Sequence, residues 1–352
     1  MRRPGRRSAR DDPRVAMLCT DPHPAHRGFA EAVGADLVDF RRLDAGPLSG
    51  TLLEDALNGL SYPRYDVYLV EGSQPLYAAL LARARTGARV VYLCADHGLY
   101  ELGRGDFAGQ SAAKSLVGRF GRPAAERVGR WGIDGCVAVS SFAADFVRPF
   151  VGPDAPVRVA HPYVQPERFD ALGRVDPALA STRAVVVGRN ARYKGVDLLV
   201  EAWPRVRERH PGATLSVVGR GHPEAYGHVP GVEVRGFVED LPAALGEAAL
   251  AVQPSRMDTF PVSTLEALRA GVPPLVTATT GTRSEAYALD PALVVPPTVE
   301  GLARGVCDYF DRSVAARETL SALARDRGRT FDATTRRAAF RRAFHAVCDA
   351  RS

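Results

Sequence analysis

From Arg14 onward, short apolar runs rich in β-branched residues alternate with longer stretches whose apolar positions recur every three or four residues. Such alternation predicts a parallel sheet wrapped by helices: a strand buried on both faces reads as a continuous apolar run, and each crossover helix reads as a stripe. The first block of predicted strands is Val15 to Cys19, Asp36 to Phe40, Asp66 to Val70, Arg89 to Leu93 and Cys136 to Val139. After the stretch HPYVQPERFD the pattern restarts at Ala184 to Val187, and Val196, Leu199, Val200, Trp203 and Val206 then fall on one helical face. Further strands are expected at Thr214 to Val218, Val232 to Val238, Leu250 to Gln253, Leu275 to Thr277 and Leu293 to Val295.

The pattern describes an α/β chain with two Rossmann-like, doubly wound domains, one over residues 14–168 and one over residues 180–332. Residues 1–13 read as a disordered basic tail, and a last helix over residues 333–352 is free to pack back on the first domain. A length of 352 residues agrees, since single cores stop growing at about 250–300 residues. Open α/β sheets bind ligands outside the C-terminal ends of their strands. Function is therefore expected in the strand-to-helix loops, facing a cleft between the domains.

Composition narrows the class without choosing a function. With 46% hydrophobic and 24% charged residues, and no apolar run near the ~20 residues of a bilayer span, the chain is expected to be soluble. A net charge of +6 suits an anionic substrate, an anionic membrane or nucleic acid. Nucleic acid is disfavoured because no reading motif accompanies the basic residues. Cys19, Cys94, Cys136, Cys307 and Cys348 have no paired metal-ligand spacing and read as buried free thiols of a cytoplasmic protein. The opening MRRPGRRSAR lacks the apolar core of a secretory signal.

Two segments carry chemistry. VVVGRNARYKGVDLLVEAW is a strand, a turn at Gly188, a basic loop with Arg189, Arg192 and Lys194, and a helix, a combination suited to a diphosphate. PSRMDTFPVSTLEALRAGVPPLV places Asp258 in a loop and Glu266 about two turns on, in a helix beginning near Pro261 that Ser263 or Thr264 would cap. The two carboxylates read either as facing one ligand, with a ribose diol on one of them, or as a pair on the protein surface.

Taken in order, VGRNARYKG, SVVGRG, RGFVEDLPAAL, PSRMDTF and LEALRAGVPPLV resemble the retaining family 4 glycosyltransferases of GT-B fold over about residues 184 to 287. In the N-terminal half the resemblance lies in the layout, in GCVAVSSF and in the later PERF. It implies transfer of a hexose-type sugar from a nucleotide-diphosphate sugar to a lipid-linked, glycan or small-molecule acceptor, with no cofactor and no metal. Arg189 and Lys194 would hold the diphosphate, and Glu266 the donor ribose. Asp258 stands where the family usually has Glu, near the donor sugar, and Pro261 replaces a common Gly. Gly188, Ser255, Phe260, Val262, Ser263, Thr264, Gly281 and Thr282 complete the expected donor contacts, with Glu285 in the place of the acid that follows a Gly pair.

In the N-terminal half the loop TDPHPAHRGF offers Gly28, with Arg27 as a phosphate partner on the acceptor side. By the same resemblance Asp96 and His97 in LCADHGL stand near the reacting sugar. Between Arg104 and Trp131, six basic residues interleave with Phe107, Leu116, Phe120 and Trp131, which reads either as a solvated helix face or as a contact for an anionic membrane. A nicotinamide-dependent oxidoreductase lacks its G-x-G-x-x-G fingerprint here, and a catalytically silent sugar-nucleotide binder stays open. No Asp-x-Asp cluster of the metal-dependent transferases is present.

Overall fold

The computed structural model describes residues 13–19, 22–40, 52–73, 75–104 and 112–350, the side chains of 52–56, 103–104 and 112–120 excepted. The predicted tail lies outside these residues apart from Pro13. The chain divides into two compact units, one of Met1–Ala138, Phe146–Arg158 and Phe340–Ser352, the other of Val139–Asp145 and Val159–Ala339.

The first sheet contains β1 (Val15–Cys19), β2 (Asp36–Asp39), β3 (Val67–Glu71), β4 (Arg89–Cys94), β5 (Gly135–Ala138) and β6 (Val157–Val159), in the order β2-β1-β3-β4-β5-β6. Its central strands are parallel and almost wholly buried, which is why they read as unbroken apolar runs. The sequence pattern does not signal β6, which is three residues long and carries Arg158 at its centre. The last helix, Ala333–Asp349, reaches this unit through Phe340, whose ring stacks on Phe29 with centroids 4.1 Å apart.

The second sheet contains β7 (Arg183–Val187), β8 (Thr214–Val218), β9 (Val232–Gly236), β10 (Leu250–Gln253), β11 (Pro274–Thr277) and β12 (Val294–Val295), in the order β12-β11-β10-β7-β8-β9. All its pairings are parallel. The predicted stripe Val196, Leu199, Val200, Trp203 and Val206 is buried in its core, along the helix Val196–Arg209. The chain runs outward through β7, β8 and β9, then returns to lay β10 on the other side of β7. Strand order thus reverses between β7 and β10. A crevice opens at such a point.

Candidate active site

β7 ends at Val187, and Gly188 is bound on both sides: its N–H donates to Val218 O (2.9 Å), and its carbonyl accepts from His222 Nε2 (2.8 Å). The chain bends at Gly188 without a left-handed backbone. The left-handed backbone falls at Gly195 (φ +66°) and Gly219 (φ +140°). A Cβ at Gly195 would lie 2.1 Å from Pro254 O, so only glycine lets the loop after β7 meet the loop after β10. Immediately before Gly195, Arg192–Lys194 forms a 3-10 turn that leads into the helix Val196–Arg209.

That approach brings Lys194 to Asp258, the Nζ to Oδ2 distance being 2.6 Å with the side chains 17% and 10% exposed. Burial alone would lower the Lys194 pKa, but the adjoining Asp258 carboxylate outweighs it and holds the ammonium above the ordinary lysine value. Arg189 is exposed at the mouth of the same loop, and its charge opposes that of Lys194. Two strong cations therefore share one strand end, with the Asp258 carboxylate bonded to one of them, Lys194.

Asp258 is held by its backbone. Its N–H donates to Thr279 O (3.2 Å) and its carbonyl accepts from Gly281 N (2.8 Å). A Cβ on Gly281 would lie 1.6 Å from Thr259 O, which explains glycine there. Ser255 belongs to the same brace, its carbonyl accepting from Thr277 Oγ1 (2.5 Å) and Thr279 Oγ1 (3.0 Å). The loops after β10 and β11 thus form one rigid wall.

The following helix spans Val262–Ala270, with Pro261 at its N-cap and no side-chain capping bond. The expected cap by Ser263 or Thr264 is not formed. Ser263 Oγ donates instead to Gln253 Oε1 (2.9 Å), and Thr264 Oγ1 accepts from Thr282 Oγ1 (3.3 Å), because both lie past the cap position. Glu266 and Asp258 are both buried, which excludes a surface carboxylate pair. Glu266 meets Arg168 (Nη1 to Oε1 3.4 Å); burial raises its pKa and the guanidinium offsets only part of that. The two carboxylates thus have separate cationic partners.

Phe260 stacks on His161 with centroids 4.7 Å apart and planes 7° from parallel. The His161 pKa is lowered, first by burial, and its Nδ1 is 2.9 Å from Val139 O. Glu285 is buried and bonded to Arg327. Sequence reasoning named neither Arg168, His222 nor Arg327 for these contacts. Only Arg168 had a signal, as the arginine of PERF.

The remaining expected residues belong to the first unit. Arg27 and Gly28 lie inside the helix Pro24–Ala32 and not in a phosphate loop, because Pro24 at N1 and the bond from Ala25 N–H to His23 Nδ1 start the helix early. Arg27 Nε donates to Pro22 O (3.4 Å). Asp96 accepts from Ser73 N–H and Oγ on one oxygen (2.9 and 2.6 Å) and from Tyr92 OH on the other (3.1 Å). His97 faces Glu101 at 3.8 Å and is 38% exposed. In the helix Ala112–Gly132, Arg122, Arg127, Arg130 and Trp131 are exposed, with Arg122 and Arg130 both paired to Glu126. The side chains of Arg104, Lys114, Leu116, Arg119 and Phe120, and all of Asp106 and Phe107, lie outside the described residues. The five cysteines are buried free thiols. Among the described residues no helix is long and apolar enough to cross a membrane, and no cluster of three or more His, Cys, Asp or Glu is placed to hold a metal.

Residues 181–312, which contain Arg189, Lys194, Asp258 and Glu266, match the model of the family described as glycosyl transferases group 1. The matched segment lies wholly within the second unit. Glycogen synthase of Mycobacterium tuberculosis is 29% identical over 219 residues, covering 56% of this chain and 51% of that protein. Glycogen synthase of Paracoccus denitrificans is 35% identical over 153 residues, covering 40% and 30%. The chain thus spans about half or less of the length of these curated relatives. Among solved structures, sucrose-phosphate synthase from Thermosynechococcus elongatus superposes with a TM-score of 0.71 at 17% identity over 96% of this chain and 99% of its own. Anabaena HepE, in complex with UDP-glucose, does so with a TM-score of 0.65 at 14% identity over 95% and 100%. These likenesses establish the architecture as GT-B, with the segment that matches the group 1 model in its second Rossmann-like unit.

Proposed function

We propose that the chain is a glycosyltransferase that takes a hexose-type sugar from a nucleotide-diphosphate sugar and passes it, with retained configuration and no metal ion, to a lipid-linked, glycan or small-molecule acceptor. The observation that carries this is the Lys194–Asp258 pair beside Arg189 at the β7/β10 reversal. Cations fixed in a partly desolvated crevice stabilise charge that develops on a leaving diphosphate. The names of the relatives agree, since glycogen synthase and sucrose-phosphate synthase are transferases of sugars and HepE holds UDP-glucose.

In this scheme the diphosphate lies along Gly188 and against Arg189 and Lys194, while Val262 and Ser263, in the first turn of the helix Val262–Ala270, present N–H groups to it and Thr264 lines the same turn. Phosphate relieves Lys194 of Asp258, and Asp258 turns to a sugar hydroxyl. Glu266 exchanges Arg168 for the ribose 2′ and 3′ hydroxyls. Ser255 and Phe260 fix the wall, and Gly281 and Thr282 leave it open to the sugar. The bond from the sugar C1 to the phosphate oxygen breaks, the acceptor oxygen bonds to C1, and the acceptor proton passes to the departing phosphate. On the first unit His97 is the group for the acceptor, held beside Asp96, and the basic helix ending at Trp131 meets an anionic membrane on the cytoplasmic side.

A thermal-stabilisation screen with UDP-, GDP- and ADP-sugars tests the donor class, because a ligand at 100 times its Kd stabilises a fold by about 2.7 kcal/mol. A single responding nucleotide is the expected result; no response from any of them removes the donor site.

A further inference from the structure

The second sheet carries another cavity, of about 340 Å³, lined by Arg183, Thr214, Ser216, Glu233, Ala244 and Glu247 among others. Arg183 and Thr214 are the first residues of β7 and β8 and face each other in register, as do Ser216 and Glu233 of β8 and β9. The cavity therefore lies at the starting ends of strands whose far ends lead into Gly188 and Gly219. Its origin is topological. β8 is joined to β9 through a short 3-10 turn, Glu224–His228, while the helix Leu241–Gly246 that carries the chain back to β10 supplies Ala244 and leads to Glu247. Thr214 and Glu233 are left exposed and Ser216 half-buried beside that helix.

The chemistry of the walls selects the ligand. Among the described residues, no side chain or backbone group bonds to the hydroxyls of Thr214 and Ser216, the carboxylate of Glu233 or the guanidinium of Arg183. Glu247, by contrast, is fixed by the fork of Arg235 at 2.8 and 3.3 Å. Two guanidinium groups thus stand against two carboxylates, so the walls carry no net charge to collect a phosphate or a divalent cation. What they offer is a mixture of hydroxyl, carboxylate and guanidinium groups, over the small apolar surface of Ala244. Such a set matches a ligand that both donates and accepts at neighbouring hydroxyls. The volume is at the lower end of the ~300–1,000 Å³ range of small-molecule pockets, a size for one or two sugar rings.

We propose that this cavity is a second, non-catalytic carbohydrate site that binds a neutral mono- or disaccharide unit at the opposite end of the strands from Lys194 and Asp258. The assignment does not depend on the protein being a transferase. Saturation-transfer NMR on the full chain with maltose, sucrose, lactose and cellobiose, each with and without excess UDP, tests it. Glu233→Ala removes the free carboxylate and Ser216→Trp fills the cavity; circular dichroism and thermal melting verify that both fold. At least one disaccharide is expected to bind with UDP present, to weaken about tenfold in Glu233→Ala and to lose its signal in Ser216→Trp. If no disaccharide binds, if UDP displaces it, or if both folded variants bind as wild type does, the assignment is overturned. Preferential binding of inorganic phosphate that Glu233→Ala strengthens would overturn it as well. None of these outcomes bears on the donor crevice, which the nucleotide screen reads separately.

Discussion

Lys194 Nζ lies 2.6 Å from Asp258 Oδ2, joining the loop after β7 to the loop after β10 where the strand order reverses. The bond makes the two neighbouring cations unequal. Lys194→Ala strands a buried carboxylate and is expected to cost about 3 kcal/mol of stability as well as activity. Arg189→Ala removes an exposed charge and should change stability by less than about 0.5 kcal/mol while lowering turnover roughly 10²- to 10³-fold. Urea melts and initial rates on both variants check this. Equal stability losses would mean that the pair does not hold Lys194 in solution.

Glu266 couples pH, stability and binding in opposite senses. Burial raises its folded pKa, so its charge opposes folding above the ordinary glutamate value of about pH 4.3. The opposition grows as pH rises from that value through the folded pKa and is complete above it. Glu266→Gln is therefore expected to melt at the same or higher temperature than wild type at pH 7, with the difference vanishing near pH 4. Nucleotide affinity should fall in the same variant and appear as a rise in KM, since an ionised acceptor serves ground and transition states alike. A variant less stable at pH 7 that binds nucleotide normally would reverse both assignments.

Two glycines fix the crevice by contact. Gly195→Ala adds a left-handed strain of about 1–2 kcal/mol to a Cβ 2.1 Å from Pro254 O. Gly281→Ala places its Cβ 1.6 Å from Thr259 O. Both variants should lower Tm and donor affinity together, whereas Gly212→Ala, which meets nothing within 4 Å, should leave both within error. Normal donor binding in either crevice variant would separate the glycines from the site.

Much of this was legible in the chain, for identifiable reasons. Strands such as Val15–Cys19 and Leu250–Gln253 are buried on both faces, and local apolar runs announce that. The stripe ending at Val206 did the same for its helix. What escaped is set by contacts distant in sequence. The demand for glycine at 195 comes from Pro254, and the partner of Glu266 is Arg168, 98 residues away. Arg27 and Gly28 read as part of a loop because they follow the first strand, where the resembled family often has a Gly-rich loop, yet Pro24 and His23 start a helix ahead of them.

On the first unit, Trp131 is 66% exposed next to Arg127 and Arg130. Each basic residue near an anionic surface contributes about 1 kcal/mol, and salt screens it. Flotation with phosphatidylglycerol vesicles is expected at low salt, weaker at high salt, and lost when Arg122, Arg127 and Arg130 become Ser and Trp131 becomes Ala. Equal flotation of both proteins, or none for wild type, would remove this helix as a membrane contact.

The central claim is that Arg189 and Lys194 stabilise a departing nucleoside diphosphate. Its most direct measurement is release of nucleoside diphosphate from UDP-, GDP- and ADP-sugars by purified protein, with and without chelator, beside Arg189→Ala and Lys194→Ala, both verified as folded. The account predicts release from one nucleotide class, unchanged by chelator and lowered roughly 10²- to 10³-fold in each variant. Release that persists at the wild-type rate in both variants, or none from any donor that the wild type demonstrably binds, would contradict it.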